Sequence, residues 1–409
     1  MEGIIPHQTP MDLHGSANQE ESTDWPNITL PPMRIVLVAP HPASKNGIGN
    51  YTARLIRELR LQGPQCSIMS PTDLLWGGWE LPPHWPDVFL EIIDATHPQL
   101  VHIQHGLYLG HGPELTRFLA ELRTRHIPCV VTLHGVWSPT LFFRWSPPFY
   151  RLLAANVAQV IVHQRDGTLK SLQKHGIPAD RIAVIPHGTW TSAETVPANI
   201  PDTMDMTGRR LVLFAGNIFQ QKGLHIVIQA FKDVVRRIPG ACLLVVGNER
   251  AENFIDRLYR VYLHAKMHQG LKAGWLISRA EYVPDDELWE HITAAEVVVF
   301  PYLRRYGSAS GVFHRVLAAG RPAICSNVPT FAEAISAWSE NLTDLFPPPG
   351  SVKAWSRAII KILSDESFRQ RAMAASASLG RETSWSLVAR KHLQLYGSLL
   401  SPSPRSGEK

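Results

Sequence analysis

Residues that suit phosphate binding stand in the C-terminal half of the chain, after an apolar run that predicts a buried strand. The segment 214–217, FAGN, is followed by Lys222 and Gly223. Glycine gives a ligand room to approach the backbone, and a lysine where a helix begins reaches a phosphate that the free N–H groups there also attract. The spacing lacks the G-x-x-x-x-G-K-[ST] pattern of a Walker A loop. An ordinary solvated lysine is therefore the alternative interpretation of Lys222.

A second candidate anion site is the segment 301–312, PYLRRYGSASGV, between a predicted strand and a predicted helix. Its small residues expose backbone N–H groups, and Ser308 and Ser310 add hydroxyl groups. A glycine- and serine-rich turn that leads into a helix is an anion site on general grounds. Arg304 and Arg305 add fixed positive charge, which favours phosphate binding over the alternative of an ordinary surface loop.

Two histidines, His105 and His134, follow predicted strands of the N-terminal half. Ligands of parallel sheets bind outside the carboxyl ends of the strands, in a cleft between domains when two such sheets face each other. A histidine at the end of a strand points toward that cleft, where it can bind a sugar hydroxyl or transfer a proton. A purely structural role is the alternative for each. No H-E-x-x-H or comparable ligand spacing is present, so we expect no metal site.

A glycine-containing segment, 46–51 or NGIGNY, follows the first predicted strand. It matches the dinucleotide pattern G-x-G-x-x-G only in part, because Thr52 occupies the third glycine position and no acidic residue ends the next strand. We therefore expect Asn46, Gly47 and Gly49 to form a loop that lets a substrate approach the backbone, not a dinucleotide site.

The composition is that of a globular protein with two or three domains, since 44% of the 409 residues are hydrophobic and 18% are charged. The net charge is +5, and residues 1–32 hold five acidic side chains and no Lys or Arg, so the remainder is strongly basic. A basic globule attracts phosphates, nucleic acids or anionic membranes, and composition alone does not choose among them. The four cysteines form no C-x-x-C pair, which indicates neither a zinc site nor a disulfide framework.

Apolar runs that fit buried parallel strands alternate with segments of helical periodicity, which predicts an α/β protein with mostly parallel sheets. The first run is 33–40, MRIVLVAP, and the pattern restarts at 210–215. Because neither a signal peptide nor a run of about 18 apolar residues is found, we expect a cytoplasmic protein. The expected organisation is a disordered tail at 1–32, an N-terminal domain at 33–190, a linker at 191–208, a C-terminal domain at 209–383, an amphipathic helix at 384–400 and a tail at 401–409.

Together these motifs resemble those of the large group 1 family of retaining glycosyltransferases, which includes sucrose synthases and bacterial mannosyltransferases. The resemblance runs over about residues 33–400 and rests on the order and spacing of the motifs. They are NGIGNYT, TLHG, IPHG, FAGNIFQQKG, YVPDDELWEHITAAEVVVFPY, SGVFHRVLAAGRPAICS and SWSLVARKHLQLY. The resemblance implies the GT-B fold, in which two Rossmann-like domains face a cleft and the last helix crosses back onto the N-terminal domain.

The resemblance also implies roles for individual residues. Gly47 and Gly49 match the glycine loop near the acceptor and the donor phosphates, and His134 matches the histidine that contacts the transferred sugar. Lys222 matches the lysine that holds the diphosphate. The remaining matches on the donor side are Tyr282 and Val283 at the nucleotide base, and Ser310, Gly311 and Val312 at the distal phosphate.

The chain departs from the family at its hallmark pair of glutamates, where Gly307 and Arg315 stand instead. Asn217 replaces the arginine that often precedes the lysine of the phosphate site. The S-G-V sequence at 310–312 matches a subgroup of the family, and we interpret the loss of the glutamates as a trait of that subgroup. Arg304 or Arg305 is the candidate to supply the missing positive charge.

The implied activity is transfer of a hexosyl group from a nucleoside diphosphate sugar to a hydroxyl of a sugar, glycolipid or other acceptor. The resemblance implies retention of configuration, no cofactor and no metal, in polysaccharide, glycolipid or glycoconjugate biosynthesis. GDP-mannose, UDP-glucose and UDP-N-acetylglucosamine all remain open as donors. A non-catalytic GT-B module that binds nucleotide sugars and a GT-B sugar-nucleotide epimerase are the alternatives. No nucleic-acid partner is expected, whereas the basic balance and the Trp-rich segment 74–85 suit peripheral contact with the inner face of a membrane.

Overall fold

The structure is a computed structural model, and it places most of the chain between residues 33 and 401. The described residues are 33–40, 47–63, 65–69 (backbone only), 84–106, 112–136, 146–165, 168–190, 208–249, 254–281, 283–303, 309–338 and 341–401. The predicted tail at 1–32, nearly all of the predicted linker and of the C-terminal tail, and most of the Trp-rich segment lie outside them.

The N-terminal half contains a six-stranded sheet in the order β2-β1-β3-β4-β5-β6, and every strand pair in it is parallel. Strands such as β3 and β4 consist of buried residues from end to end, as parallel strands do when helices cover the sheet. The strands are β1 Arg34–Val38, β2 Gln65–Met69, β3 Leu100–His105, β4 Cys129–Leu133, β5 Gln159–Val162 and β6 Ile182–Val184. The helices are α1 Gly47–Leu61, α2 Trp85–Thr96, α3 Pro113–Thr124, α4 Ser146–Asn156 and α5 Leu169–Lys174.

The C-terminal half contains a five-stranded sheet in the order β11-β10-β7-β8-β9, again parallel throughout. Its strands are β7 Arg210–Ala215, β8 Ala241–Val246, β9 Leu276–Arg279, β10 Val297–Phe300 and β11 Ala323–Cys325. Its helices are α6 Leu224–Arg237, α7 Phe254–Lys272, α8 Asp285–Ala294, α9 Gly311–Ala318, α10 Ala332–Trp338, α11 Val352–Ser364 and α12 Glu366–Glu382. The predicted α/β class with two parallel sheets is confirmed.

The strand order reverses beside the first strand of each sheet. In the first sheet β1 lies between β2 and β3, and in the second β7 lies between β10 and β8. Ligands of doubly wound sheets bind at such switch points, outside the carboxyl ends of the strands. The fold therefore directs attention to the segments that follow β1, β7 and β10.

The last helix, α13 (Trp385–Leu400), packs against the N-terminal half of the chain. The Tyr396 hydroxyl lies 2.6 Å from Nδ1 of His102 on β3, and the Trp385 ring lies 5.0 Å from the ring of Tyr51 on α1. Gly188 allows this approach, because a Cβ there would lie 2.1 Å from the Trp385 ring.

The predicted glycine loop differs from the structure in its conformation. Helix α1 begins at Gly47, so Gly47 and Gly49 form its first turn and not a loop before a helix that starts near Tyr51. Glycine destabilises the interior of a helix. The cost matters less in the first turn, where the N–H groups have no intrahelical partners, and a helix end close to a ligand tolerates glycine.

Within the described residues, no helix combines the length and the apolar character needed to cross a membrane.

Candidate active site

A cleft of about 450 Å3 lies where the carboxyl edges of the two sheets meet. Its walls come from the segments after strands of both halves, as expected for ligand sites of parallel sheets. From the N-terminal half it is lined by Gly47, Ile48, Asn50, Tyr51, His134, His163, His187 and Trp190. From the C-terminal half the lining includes Gly216, Asn217, Phe219, Lys222, Gly247, Asn248, Val283, Asp285, Tyr302, Ser310, Gly311, Val312 and Arg315.

Two helices begin at this cleft, one from each half of the chain. Gly47 opens α1 and Gly311 opens α9, and both residues line the cleft. Ser310 caps α9, its hydroxyl oxygen accepting from the N–H of Phe313 at 3.5 Å. Because the first N–H groups of a helix have no intrahelical partners, the two ends supply positive potential that suits an anion.

Lys222 adds a full positive charge beside the start of α9. It lies in a short 3-10 turn, Gln220–Lys222, and its Nζ donates a hydrogen bond to the Tyr302 hydroxyl. An ammonium group only donates, so the Tyr302 oxygen accepts from it, and the Tyr302 hydroxyl shares a second hydrogen bond with Ser310 Oγ, 3.1 Å away. The chain Lys222–Tyr302–Ser310 thus couples the lysine to the cap of α9.

Two glycines let the loops around Lys222 and Gly216, which we call the phosphate-binding region after the prediction for them, pack together. Gly223 has φ +69°, and a Cβ there would lie 1.8 Å from the carbonyl oxygen of Pro301. Gly247 has φ +144°, and a Cβ there would lie 2.0 Å from the carbonyl oxygen of Gly216. Any side chain at either position would therefore push apart the loops that follow β7, β8 and β10.

The opposite wall is a buried cluster of rings around Tyr51. The rings of His134, His163 and His187 lie 4.8, 5.3 and 5.1 Å from the Tyr51 ring, and we call these three the histidine row. Burial lowers the pKa of all three, that of His163 to about 4 and those of His134 and His187 well below the usual range. The row is therefore neutral at pH 7 and consists of weak bases.

The hydrogen bonds of His163 determine where its proton sits. Its Nδ1 lies 3.0 Å from the carbonyl oxygen of Ile185, and a carbonyl only accepts, so Nδ1 carries the proton and Nε2 has a lone pair. That Nε2 lies 3.4 Å from His134 Nδ1, and His134 Nε2 lies 2.8 Å from the amide group of Gln104. Both nitrogens of His134 thus face protein groups, so its ring belongs to a hydrogen-bonded series and is not an isolated base.

The two halves also meet through rings at the edge of the cleft. The His187 ring stacks on the His314 ring at 4.6 Å, and Thr189 Oγ1 lies 2.8 Å from His314 Nδ1. His187 donates from Nδ1 to the carbonyl oxygen of Gly188 at 2.9 Å, which leaves Nε2 on the side of Gly311. The start of α9 is therefore held against the N-terminal half by residues that follow β6.

An arginine and an aspartate form an ion pair at the C-terminal wall of the cleft. Arg315 on α9 binds Asp285 at the start of α8 with an N···O distance of 2.5 Å, and its guanidinium lies 4.6 Å from the ring centroid of Trp190. All three side chains line the cleft. The carboxylate is 56% exposed, so it offers oxygen lone pairs to a ligand while Arg315 holds it in place.

Most of the predicted site residues that the structure describes come together in this cleft. Nine of them line it: Gly47, His134, Asn217, Lys222, Val283, Ser310, Gly311, Val312 and Arg315. Gly49 is buried within α1, and His105 is buried with its ring stacked on Phe149 at 4.5 Å, so the cleft lining does not include either. His105 lies away from the cleft because it still belongs to β3, whereas His134 follows the end of β4. Asn46, Tyr282 and Arg304 lie outside the described residues, as does Gly307.

Sequence reasoning missed several residues of the cleft. They include Tyr51, His163, His187, Trp190, Asp285 and Tyr302. His163 and His187 carry the signal that identified His134, since each follows a predicted strand. No three His, Cys, Asp or Glu side chains of the described part of the chain are grouped to hold a metal ion.

Comparisons with known protein families place both halves in the same class. Residues 209–365 match the family model described as glycosyl transferases group 1, and residues 45–192 match the model described as glycosyltransferase family 4. A phosphatidyl-myo-inositol mannosyltransferase of Mycobacterium tuberculosis is 23% identical over 389 residues, which cover 89% of this chain and 96% of the relative. O-antigen chain mannosyltransferase B of Escherichia coli is 24% identical over 229 residues, covering 54% and 55% of the two chains.

Solved structures give the same fold. Sucrose-phosphate synthase of Thermosynechococcus elongatus aligns with a TM-score of 0.71 at 19% identity, covering 90% of this chain and 99% of that one. HepE of Anabaena, solved in complex with UDP-glucose, aligns with a TM-score of 0.68 at 13% identity over 90% of this chain and 100% of that one. At these identities the likeness establishes the GT-B fold alone.

Proposed function

Because this chain belongs to the group 1 glycosyltransferases, we propose that it transfers a hexosyl group from a nucleoside diphosphate sugar to a hydroxyl acceptor with retention of configuration. The observation that carries the proposal is the convergence of Lys222 and two helix N-termini on one cleft. The names of relatives that are mannosyltransferases support a hexosyl donor. The crystal complexes of HepE with UDP and UDP-glucose support a nucleoside diphosphate sugar.

The phosphate end of the donor would lie against Lys222 and the start of α9. As the glycosidic bond breaks, the leaving diphosphate gains negative charge, and donors that are already oriented stabilise it without reorganisation. The Lys222 ammonium and the N–H groups at Ser310, Gly311 and Val312 are such donors. They would provide this stabilisation without a metal ion.

The nucleoside would lie between β9 and α9, beside Val283. A carboxylate accepts hydrogen bonds from the two neighbouring hydroxyl groups of a ribose. Asp285, which Arg315 holds in the cleft, is suited to this contact and would replace the family glutamate that position 315 lacks. The nearby ring of Trp190 would limit the space at this end.

The sugar would lie against Tyr51 and the histidine row. The histidine row consists of weak bases, and the mechanism that we propose needs no protein base. In a front-side attack, the leaving phosphate oxygen helps take the proton of the acceptor hydroxyl, and no protein nucleophile forms. His134 would then position the sugar, and the Tyr51 hydroxyl, which has no hydrogen-bond partner among the described residues, would bind one of its hydroxyl groups.

The acceptor would be a sugar or a glycolipid, and the product a polysaccharide, glycolipid or other glycoconjugate. The name of the mycobacterial relative, a mannosyltransferase acting on phosphatidyl-myo-inositol, supports a lipid-linked acceptor. Both halves of the chain line the cleft, so the acceptor and the donor would bind against different walls.

A two-step experiment tests the proposal. First, a thermal-shift panel of UDP, GDP, ADP and their hexose derivatives identifies the base, since a ligand of the native state raises the melting temperature. The matching nucleotide sugar is then incubated with simple sugar and lipid acceptors, and released nucleoside diphosphate and the anomeric configuration of the product are followed by NMR. Binding without release of diphosphate would favour a non-catalytic module. Entry of solvent deuterium into the sugar would identify an epimerase instead.

A further inference from the structure

Helix α7 carries an apolar surface that faces solvent. Of the eight large hydrophobic side chains that are exposed in the described residues, six belong to this helix. They are Phe254, Ile255, Leu258, Val261, Tyr262 and Leu271. Single exposed hydrophobic residues are ordinary, whereas a contiguous group on a protein surface marks an interaction site.

Three of the exposed residues form a stripe along one side of the helix. At about 100° per residue, Phe254, Leu258 and Val261 fall within an arc of about 60°. These three side chains belong to residues that are 72%, 55% and 69% exposed. The side of α7 that packs on the domain is the opposite one, with Leu263 and Met267 buried. The helix therefore has two apolar faces, and one of them faces solvent in the described part of the chain.

Basic side chains flank the exposed face. The helix holds four basic residues and one acidic residue, Asp256. By the same helical geometry, Arg257 borders the apolar arc and Lys272 lies in line with it toward the end of the helix. Arg260 and Lys266 lie further round the helix on the two sides of the arc. An apolar face with basic borders is the pattern of a helix that lies in the interface of an anionic bilayer. A second copy of the chain fits less well, because the same basic borders would face each other.

We propose that α7 is a docking surface for an anionic lipid bilayer. Phe254, Leu258 and Val261 enter the interface, and Arg257 and Arg260 lie among the headgroups. The helix neither spans the bilayer nor requires any other part of the chain to do so.

Helix α7 is attached to the helix that follows Lys222. The Tyr259 hydroxyl on α7 lies 3.0 Å from Nδ1 of His225 in the first turn of α6, three residues after Lys222. The N-terminal end of α7, where the apolar residues concentrate, is thus fastened beside the phosphate-binding region. If the proposed transferase acts on a lipid-linked acceptor, docking would keep the cleft near the bilayer, but docking itself does not depend on that activity.

The test is cosedimentation of the full chain with sucrose-loaded vesicles, without any nucleotide or acceptor. Vesicles of phosphatidylcholine with about one third phosphatidylglycerol are compared with pure phosphatidylcholine at low and high salt. Two variants probe the surface: the triple variant F254S/L258S/V261S and the double variant R257E/R260E. The matched control is L61S/I92S, which removes the two other large exposed hydrophobic side chains of the described residues.

We expect the unchanged chain and the control to bind the anionic vesicles at least tenfold more strongly than either α7 variant does. Binding should weaken on pure phosphatidylcholine and at high salt. All substituted side chains are exposed, and circular dichroism melts verify that the variants fold. Equal binding of control and triple variant would overturn the proposal. So would a dimer in sedimentation velocity that the triple variant abolishes while vesicle binding is absent, since α7 would then be a self-association surface.

Discussion

Lys222 and Tyr302 are 80 residues apart in sequence, yet the lysine ammonium lies over the tyrosine ring, 3.8 Å from its centroid, and donates a hydrogen bond to its hydroxyl. The contact holds a positive charge at the mouth of α9, where helix N–H groups already favour anions. Because Tyr302 is buried, the lysine is positioned by the core of the C-terminal half and does not depend on solvent-exposed neighbours.

Replacing Lys222 by alanine should reduce turnover of the donor by at least ~10²-fold, the scale of losing one charge-stabilising donor in an active site. The melting temperature should change little, because Lys222 is not part of the hydrophobic core. The measurement is the rate of nucleoside diphosphate release at saturating donor. Lys353→Ala, which removes an exposed lysine on α11, is the matched control. Near-normal release from the Lys222 variant would show that the lysine does not stabilise the leaving group.

Replacing Tyr51 by phenylalanine removes one oxygen and keeps the ring that the histidine row surrounds. Burial raises the pKa of this phenol, and its oxygen has no hydrogen-bond partner in the described part of the chain. A buried unpaired hydroxyl costs about 1–3 kcal/mol, so the variant should be as stable as the parent or more stable. Turnover should nevertheless fall about tenfold if the hydroxyl binds the sugar. Unchanged turnover in a folded variant would remove Tyr51 from the sugar site.

Replacing Asp285 by asparagine should weaken binding of the matching nucleoside diphosphate about tenfold, the scale of one charge-assisted hydrogen bond. The 2′,3′-dideoxy form of the same nucleotide should bind parent and variant equally, because it lacks the hydroxyl groups that the carboxylate would accept from. Asp286→Asn removes a neighbouring charge from the same helix turn, outside the cleft lining, and is the control. Equal losses of affinity for the ribose and dideoxy forms would mean that Asp285 acts through helix stability or charge balance and does not bind the ribose.

Local patterns in the sequence predicted the main elements of the fold. The apolar run at 210–215 coincides with β7, Arg210–Ala215. The amphipathic helix predicted at 384–400 coincides with α13, Trp385–Leu400. Several helices were not predicted, among them α12, Glu366–Glu382. Its sequence is rich in Ala and Ser, so hydrophobic periodicity is weak even though it packs against its neighbours. The membership in the glycosyltransferase family and the GT-B fold, both inferred from motif order, are confirmed.

Residues that line the cleft could be predicted where the residue type and its position after a predicted strand were sufficient, as for Lys222 and His134. Contacts between segments that are distant in sequence could not be predicted. Tyr302 stands directly after Pro301 in a predicted site segment, but its role depends on meeting a lysine 80 residues away. Asp285 and Arg315 meet only because α8 and α9 lie side by side, and no local pattern reports such a pair.

The buried histidines predict a loss of stability in acid. Burial lowers the pKa of His163 and His392 to about 4 and that of His314 to about 3, below the unfolded value of 6.5. A group with a lowered native pKa contributes stability that is present above pH 6.5 and is lost as the pH falls toward the native pKa. Each such histidine then lowers the free energy of unfolding by up to about 1.4 kcal/mol per pH unit.

His392 offers a direct check of this dependence. It donates from Nδ1 to the Val388 carbonyl of its own helix, and its Nε2 has no partner among the described residues, so phenylalanine fits its place. Urea unfolding at pH 7 and pH 5 should show that His392→Phe loses about 2 kcal/mol less than the parent over this range. Equal losses for the variant and the parent would mean that His392 titrates normally in the folded chain.

The most direct test of the proposed diphosphate site is isothermal titration calorimetry with nucleoside diphosphates and their matching nucleosides. The site predicts that one nucleoside diphosphate binds at least tenfold more tightly than its nucleoside, because Lys222 and the start of α9 hold the diphosphate. It also predicts that Lys222→Ala removes most of that difference and leaves nucleoside binding unchanged. If every diphosphate bound no better than its nucleoside, or if the Lys222 variant kept the full difference, the cleft would not hold the diphosphate of a sugar donor.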